Sequence, residues 1–329
     1  MAVASTTLPY TKSEAKAWAK PRILDFYDAP LTPFTGDYQI DVDGLRKNMD
    51  AYVEMGVSGL VLGGFLAEAW HLTLEDWKRY HELYLEANQG RLPLWTIILD
   101  PSVHVALEKM AFIEGLGGYD GAEVINPIVQ FRTDDEIFDW YKYLTDHSDM
   151  AVFLYRTPVS GKVLSVELVA RLSEIPTIVG VKQGSFNHAD SLLLRRMVAE
   201  DFIVSDPFGY WFLDDLRNGG QVLWAGFEYI IYGKLRHFAR EYVDLARAGQ
   251  WEAAREPWQA LQPVFDLVGE VTKTVASTGS YTGIVPYIKE WYGLIGLESG
   301  DGRVLPPVRE LPADGREWLA GRLGEVGVI

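Results

Sequence analysis

Lys182 closes the run Ile178-Val-Gly-Val-Lys182, and Tyr155 closes the run Val152-Phe-Leu-Tyr155. Both runs are apolar on consecutive residues, the pattern of a parallel strand covered on both faces. Each polar group therefore stands where a strand leaves the core. An amine partly shielded from water there is a usable nucleophile toward a carbonyl carbon. A phenol beside it can carry a proton to and from a carbinolamine or an aldol hydroxyl. Each residue also has a plainer reading, as a rim lysine that snorkels to water or an amphipathic tyrosine at a core edge. Spacing alone does not choose.

The two runs belong to a series. Strands are expected at Ile23–Ala29, Val57–Gly63, Leu94–Leu99, Gly121–Ile125, Ala151–Tyr155, Thr177–Lys182, Phe202–Ser205 and Val222–Ala225. Helical segments lie between them. Thr133-Asp-Asp-Glu136 reads as a capping box, Thr73-Leu-Glu-Asp76 as the same box with Asp for Glu, and Ser102 and Ser165 as N-caps. Eight strands alternating with helices is the arithmetic of a (β/α)8 TIM barrel, with a doubly wound open sheet as the competing α/β architecture. The chain divides into an N-terminal extension (1–21), the barrel (22–249) and a C-terminal helical tail packed on it (250–329). In the tail, helices are expected over Trp251–Val271, Tyr281–Leu294 and Asp314–Leu323, with a loop over Gly300–Pro312.

Composition narrows the function. Among 329 residues, 30 Lys and Arg face 46 Asp and Glu, a net charge of −16 that disfavours nucleic acid and anionic membrane as partners. Cysteine is absent, which removes disulfides, thiolate metal sites and Cys nucleophiles. The six histidines show no metal-binding spacing, so no metal is expected. Gly115-Leu-Gly-Gly118-Tyr-Asp-Gly121 follows a helix and leads into a strand, the wrong order for a dinucleotide loop, and reads as a turn. No apolar run approaches the roughly 18–20 residues of a membrane span, and residues 1–21 lack a signal-like apolar stretch. A cytoplasmic protein is the expectation.

In a barrel, chemistry sits at the C-terminal strand ends. That rule selects Thr32-Pro33, Gly63–His71, Asp100, Asn126, Tyr155-Arg156, Lys182-Gln183, Ser205-Asp206 and Trp224–Tyr229.

Several of these segments resemble the superfamily of dihydrodipicolinate synthase and N-acetylneuraminate lyase, the Schiff-base aldolases and lyases. Ala29-Pro-Leu-Thr-Pro-Phe34 resembles the family's strand-1 opening. Gly56-Val-Ser-Gly-Leu-Val-Leu-Gly-Gly64, followed by Glu68 and Leu72-Thr-Leu-Glu-Asp76, is similar to the segment around its Gly-Thr-Thr-Gly-Glu motif. Phe153-Leu-Tyr155-Arg-Thr-Pro158 resembles its Tyr-Asn-x-Pro strand, and Ile178-Val-Gly-Val-Lys182-Gln-Gly-Ser185 its Gly-x-Lys strand. The resemblance implies that Lys182 forms an imine with a 2-oxo acid and that Tyr155 relays protons. It implies no cofactor, since the iminium does the work of a Lewis acid. It also implies a homotetramer, and a loop-bracing role for Glu68.

The departures carry information too. Phe65-Leu66 stands where the family places two carboxylate-binding threonines, leaving backbone N–H groups from Gly64 onward to bind substrate. Pro127-Ile-Val replaces the segment that supplies an interfacial tyrosine, and Ser160 falls where the synthases carry an arginine. Gly64, Phe65, Leu66, Ser160, Ser205 and Trp224 are the expected substrate contacts. Phe65, Trp70, Phe208, Tyr210, Trp211, Trp224, Phe227 and Tyr229 make an aromatic rim that favours an apolar or aromatic partner. Within the superfamily this points to the aromatic hydratase-aldolases. The expected function is C–C cleavage or formation on a 2-oxo acid through a Lys182 iminium. The alternatives are an imine-dependent dehydratase or hydratase, and a barrel that binds a small ligand without turnover.

Overall fold

The computed structural model describes residues 8–127, 133–278 and 281–329. Eight parallel strands, β1 (Asp25–Asp28), β2 (Gly59–Leu62), β3 (Leu94–Ile98), β4 (Gly121–Ile125), β5 (Ala151–Arg156), β6 (Ile178–Gln183), β7 (Ile203–Ser205) and β8 (Val222–Gly226), pair in the order β7-β6-β5-β4-β3-β2-β1-β8. The sheet curls into a TIM barrel. Its seam lies between β7 and β8, where the Ser205 hydroxyl donates to the Val222 carbonyl (2.8 Å) and accepts from the Trp224 N–H (3.1 Å).

The inner face is filled by alternating large and absent side chains. Trp224 stacks on Phe153 (centroids 4.1 Å apart) and Tyr27 (5.1 Å) and meets Trp95 edge-on (5.0 Å). Glycines give these rings their room. A Cβ on Gly180 would lie 2.5 Å from Phe153, and one on Gly121 2.3 Å from Trp95. Two residues beyond Gly180 on the same strand face, above this aromatic layer, comes Lys182.

The helices begin where their caps predict. Thr133 accepts from the Glu136 N–H while the Glu136 carboxylate accepts from the Thr133 N–H, a complete box. In the Asp variant, Thr73 accepts from the Asp76 N–H, but the shorter Asp76 carboxylate takes the Thr73 hydroxyl instead of its N–H. The tail departs from expectation in two places: its first helix ends at Ala260 and a second runs Gln262–Thr278, and Tyr281–Gly283 forms a separate 3-10 turn ahead of the next helix. Two further helices follow, Val285–Leu294 and Ala313–Glu325. Val264, Phe265, Ile288 and Trp291 of the tail share one continuous apolar cluster with the layer around the barrel.

Residues 8–23 close the N-terminal end of the cylinder. Tyr10, Ala15, Ala19 and Ile23 are buried against Val61, Trp95, Phe153 and Val179. The Tyr10 hydroxyl donates to the Asp120 carbonyl (2.6 Å) and accepts from the Ala151 N–H (2.8 Å). No described helix is long and apolar enough to cross a membrane.

Candidate active site

At the C-terminal end of the strands the barrel opens into a cavity of about 280 Å³, walled largely by apolar side chains. Lys182 and Tyr155 both line it and are almost fully buried, at 8% and 4% exposure. They are direct register partners across β5 and β6. The Lys182 amine lies over the Tyr155 ring, 4.3 Å from its centroid, and donates to the carbonyl of Ala225 at 2.9 Å.

That carbonyl is available because β8 carries a bulge. The register runs from Tyr27↔Trp224 to Asp28↔Gly226, leaving Ala225 as the extra residue. Ala225 has φ 51°, a left-handed value that a non-glycine residue holds only under constraint. The bulge thus turns one main-chain acceptor toward the lysine. Just past the end of β6, Gly184 leaves space for the phenol: a Cβ there would sit 2.9 Å from Tyr155 Cε2.

Two buried carboxyls share the cavity wall. Glu123, on β4, accepts from the Trp224 indole N–H at 2.7 Å. Burial pushes its pKa up, while the Lys182 charge and the indole bond pull it down. Glu228 accepts from the Gly209 N–H and from the Tyr232 hydroxyl, and burial raises its pKa to about 7. Lys273, on the second tail helix, adds a cation to the lining.

The loop after β2 supplies Gly64, Phe65 and Leu66 to the wall. It is braced from behind. Glu68, fully buried and at φ 57°, pairs with the equally buried Lys289 at 2.6 Å and accepts from the Leu305 N–H at 2.6 Å. Lys289 also donates to the Arg303 carbonyl and lies over the Phe34 ring (4.2 Å); burial brings its pKa down to about 8. The Thr32 hydroxyl, from the strand-1 segment, donates to the Ala67 carbonyl. The tail therefore holds the loop from the side opposite the cavity.

Of the expected contacts, Gly64, Phe65, Leu66, Tyr155 and Lys182 meet in one cavity, whereas Ser160, Ser205 and Trp224 do not line it. Ser160 is buried, with its hydroxyl donating to the Thr157 and Lys162 carbonyls within its own turn. Ser205 stitches the barrel seam, and Trp224 lies in the aromatic layer below. Arg156 faces the outside of the barrel, bonded to Gln183, Ser185 and Asp190.

Among the rim aromatics, Phe65, Phe208, Tyr210 and Phe227 reach the cavity. Trp70 backs Phe65 (5.4 Å), Trp211 stacks on His188 (4.6 Å) and Tyr229 stacks on Phe26 (4.2 Å). Residues 128 and 129, where the interfacial tyrosine is replaced, lie outside the described residues. Glu123, Phe186, Phe265, Val268 and Lys273 line the cavity without having been singled out. Only Glu123 left a signal, an acid in the middle of the apolar run Gly121-Ala-Glu-Val-Ile125. Among the described residues no three His, Asp or Glu side chains gather as a metal site.

Known proteins share this fold. The chain is 26% identical over 305 residues to a 4-hydroxy-tetrahydrodipicolinate synthase of Methanosarcina barkeri, covering 92% of this chain and 97% of the relative. It is 28% identical over 284 residues to an N-acetylneuraminate lyase of Rhizobium meliloti, covering 86% and 89%. Among solved structures, YagE of Escherichia coli, a prophage protein of the dihydrodipicolinic acid synthase family crystallised with pyruvate, superposes with a TM-score of 0.81 at 21% identity, over 93% of this chain and 99% of that one. The dihydrodipicolinate synthase of Oceanobacillus iheyensis does so with a TM-score of 0.81 at 20% identity, over 95% and 100%. Residues 23–320 match the model of the dihydrodipicolinate synthetase family. The chain therefore belongs to that family of Schiff-base lyases and aldolases.

Proposed function

We propose that this family member makes or breaks a C–C bond next to the carbonyl of a 2-oxo acid, with Lys182 as the imine-forming amine and an apolar or aromatic aldehyde as the second component. The observation that carries the reading is the Lys182 amine itself, nearly buried at the inner end of an apolar cavity and lying over a phenol ring.

Lys182 attacks the ketone carbon of the 2-oxo acid, and the carbinolamine loses water to give an iminium. Tyr155 carries the protons of these steps. The iminium accepts the electron pair released when the adjacent C–C bond breaks, forming an enamine. The Glu123 carboxyl shares the cavity wall with Lys182; burial raises its pKa, and the neighbouring Lys182 charge opposes that rise. The carboxylate of the 2-oxo acid faces the Gly64–Leu66 loop, where main-chain N–H groups serve in place of hydroxyls.

Phe65, Phe186, Phe208 and Phe227 on the wall support an apolar partner, because they present little that would repay a polyhydroxylated chain for its lost hydration. By the same resemblance the working form is a cytoplasmic homotetramer, a state that light scattering on the purified protein reads directly.

The substrate assignment is tested by comparing turnover of an aromatic 2-oxo enoic acid, N-acetylneuraminate, and pyruvate with aspartate semialdehyde, with products identified by mass. Faster release of pyruvate and an aromatic aldehyde is expected. Faster turnover of either of the other two overturns the assignment, and hydration without cleavage makes the enzyme a hydratase.

A further inference from the structure

Beyond Lys182 and Tyr155, the cavity wall carries a second hydrogen-bonded chain that ends in a phenol. Tyr210, in the first turn of the helix Gly209–Arg217 after β7, lines the cavity at its exposed mouth. Its hydroxyl meets His188 Nε2 at 3.1 Å. His188 Nδ1 meets Asp206 Oδ2 at 2.7 Å, and the Ser191 hydroxyl donates to the same oxygen at 2.9 Å. Asp206 is fully buried, at the C-terminal end of β7. The imidazole is clamped flat against Trp211, 4.6 Å centroid to centroid with 14° between planes, and meets Phe208 edge-on. Three residues from separate segments thus form one line from the buried layer to the cavity.

The carboxylate fixes the roles. With the Nδ1 proton directed at Asp206, Nε2 is left to accept from the Tyr210 hydroxyl. A phenol held in this way can give its proton inward to the ring as its oxygen takes one from a ligand. Phe186, Phe208 and Tyr210 stand side by side along the wall, at 4.8 and 5.6 Å between neighbouring rings. An aromatic partner lying on this wall brings its own oxygen toward Tyr210.

We propose that Tyr210 is a second acid–base residue of the site, acting on the oxygen of the aldehyde partner, with His188 and Asp206 as its positioning residues. The proposal rests on the imine reading above and adds a division of labour to it: Lys182 and Tyr155 act on the 2-oxo acid, Tyr210 on its partner. In the cleavage direction the carbinol hydroxyl gives its proton to the Tyr210 oxygen while the phenolic proton passes to His188 Nε2. The O–H electron pair becomes the carbonyl π bond. The C–C pair moves into the enamine and neutralises the iminium nitrogen. The imidazolium so formed is paired with Asp206; in cleavage it releases the proton through Tyr210 to water at the cavity mouth as the aldehyde leaves, and in condensation it supplies the proton to the aldehyde oxygen.

The test separates the two half-reactions in the full-length protein. Solvent deuterium exchange into the methyl group of pyruvate, followed by NMR, needs only imine and enamine. Condensation of pyruvate with benzaldehyde needs the partner's oxygen as well. For Tyr210→Phe, the expectation is exchange within about 2-fold of the parent and a fall in condensation kcat of about 10²-fold, the scale of one general acid–base group, with little change in KM. His188→Gln should show the same split to a smaller degree. The proposal is overturned if Tyr210→Phe slows both reactions equally or neither. Absence of exchange in the parent protein would instead remove the imine reading on which the proposal stands.

Discussion

The Lys182 amine stands 4.3 Å from the centroid of the Tyr155 ring and donates to the Ala225 carbonyl at 2.9 Å. The ring and the hydroxyl of Tyr155 are therefore separable by substitution: the face lies under the amine, and the hydroxyl is the proposed proton relay. Tyr155→Phe keeps the face. It should leave pyruvate able to form a borohydride-trappable adduct while lowering kcat by about 10²–10⁴-fold. Unchanged kcat would mean that the hydroxyl does not act as a relay.

Gly184→Ala probes the position of the same ring. The added Cβ would come within 2.9 Å of Tyr155 Cε2, so the ring must shift. Overpacking of this kind costs about 1–3 kcal/mol. The expected outcome is a folded protein with kcat reduced at least about 10-fold, on the scale of misplacing a catalytic group. Unchanged kcat would show that the ring position is not critical.

The Glu68–Lys289 pair ties the β2 loop to the tail, with both side chains fully buried at 2.6 Å. Removing one partner leaves the other as an uncompensated buried charge. Lys289→Met should destabilise the protein by about 3–5 kcal/mol in urea unfolding, and Glu68→Leu combined with Lys289→Met should recover much of that loss. If the double variant is no more stable than the single one, the pair is not coupled.

Glu228 predicts a pH dependence. Its pKa rises from 4.5 to about 7 in the folded state because burial disfavours the charged form. Between these values the native state holds a proton that the unfolded chain has lost, so this group makes stability fall as pH rises from about 4.5 to 7. Glu228→Gln mimics the protonated carboxyl. Its unfolding free energy should fall less than the parent's between pH 5 and pH 7.5, by a difference on the order of 2 kcal/mol. Parallel curves for the two proteins would contradict the shift.

Much of this was legible in the chain. Parallel strands buried on both faces announce themselves as consecutive apolar runs, and a lysine or tyrosine at the end of such a run has nowhere to be except the barrel mouth. The bulge at Ala225 was not legible, because Val222-Leu-Trp-Ala-Gly226 reads as an unbroken strand and a one-residue register shift leaves no pattern. Ser160 and Ser205 lie off the cavity lining for a related reason. A short hydroxyl beside main-chain carbonyls bonds to the backbone first, and sequence position does not reveal which carbonyls are near. The tail's share of the wall, Phe265, Val268 and Lys273, was hidden because an amphipathic helix declares an apolar face but not what that face covers.

Mass analysis of Lys182 after borohydride reduction tests the imine most directly. The protein is reduced in the presence of pyruvate and digested, and the peptides are weighed. The peptide containing Lys182 should carry the reduced pyruvyl adduct, and Lys182→Ala should carry none anywhere in the chain. An adduct on another lysine, Lys273 included, or no adduct at all, would contradict the assignment of Lys182.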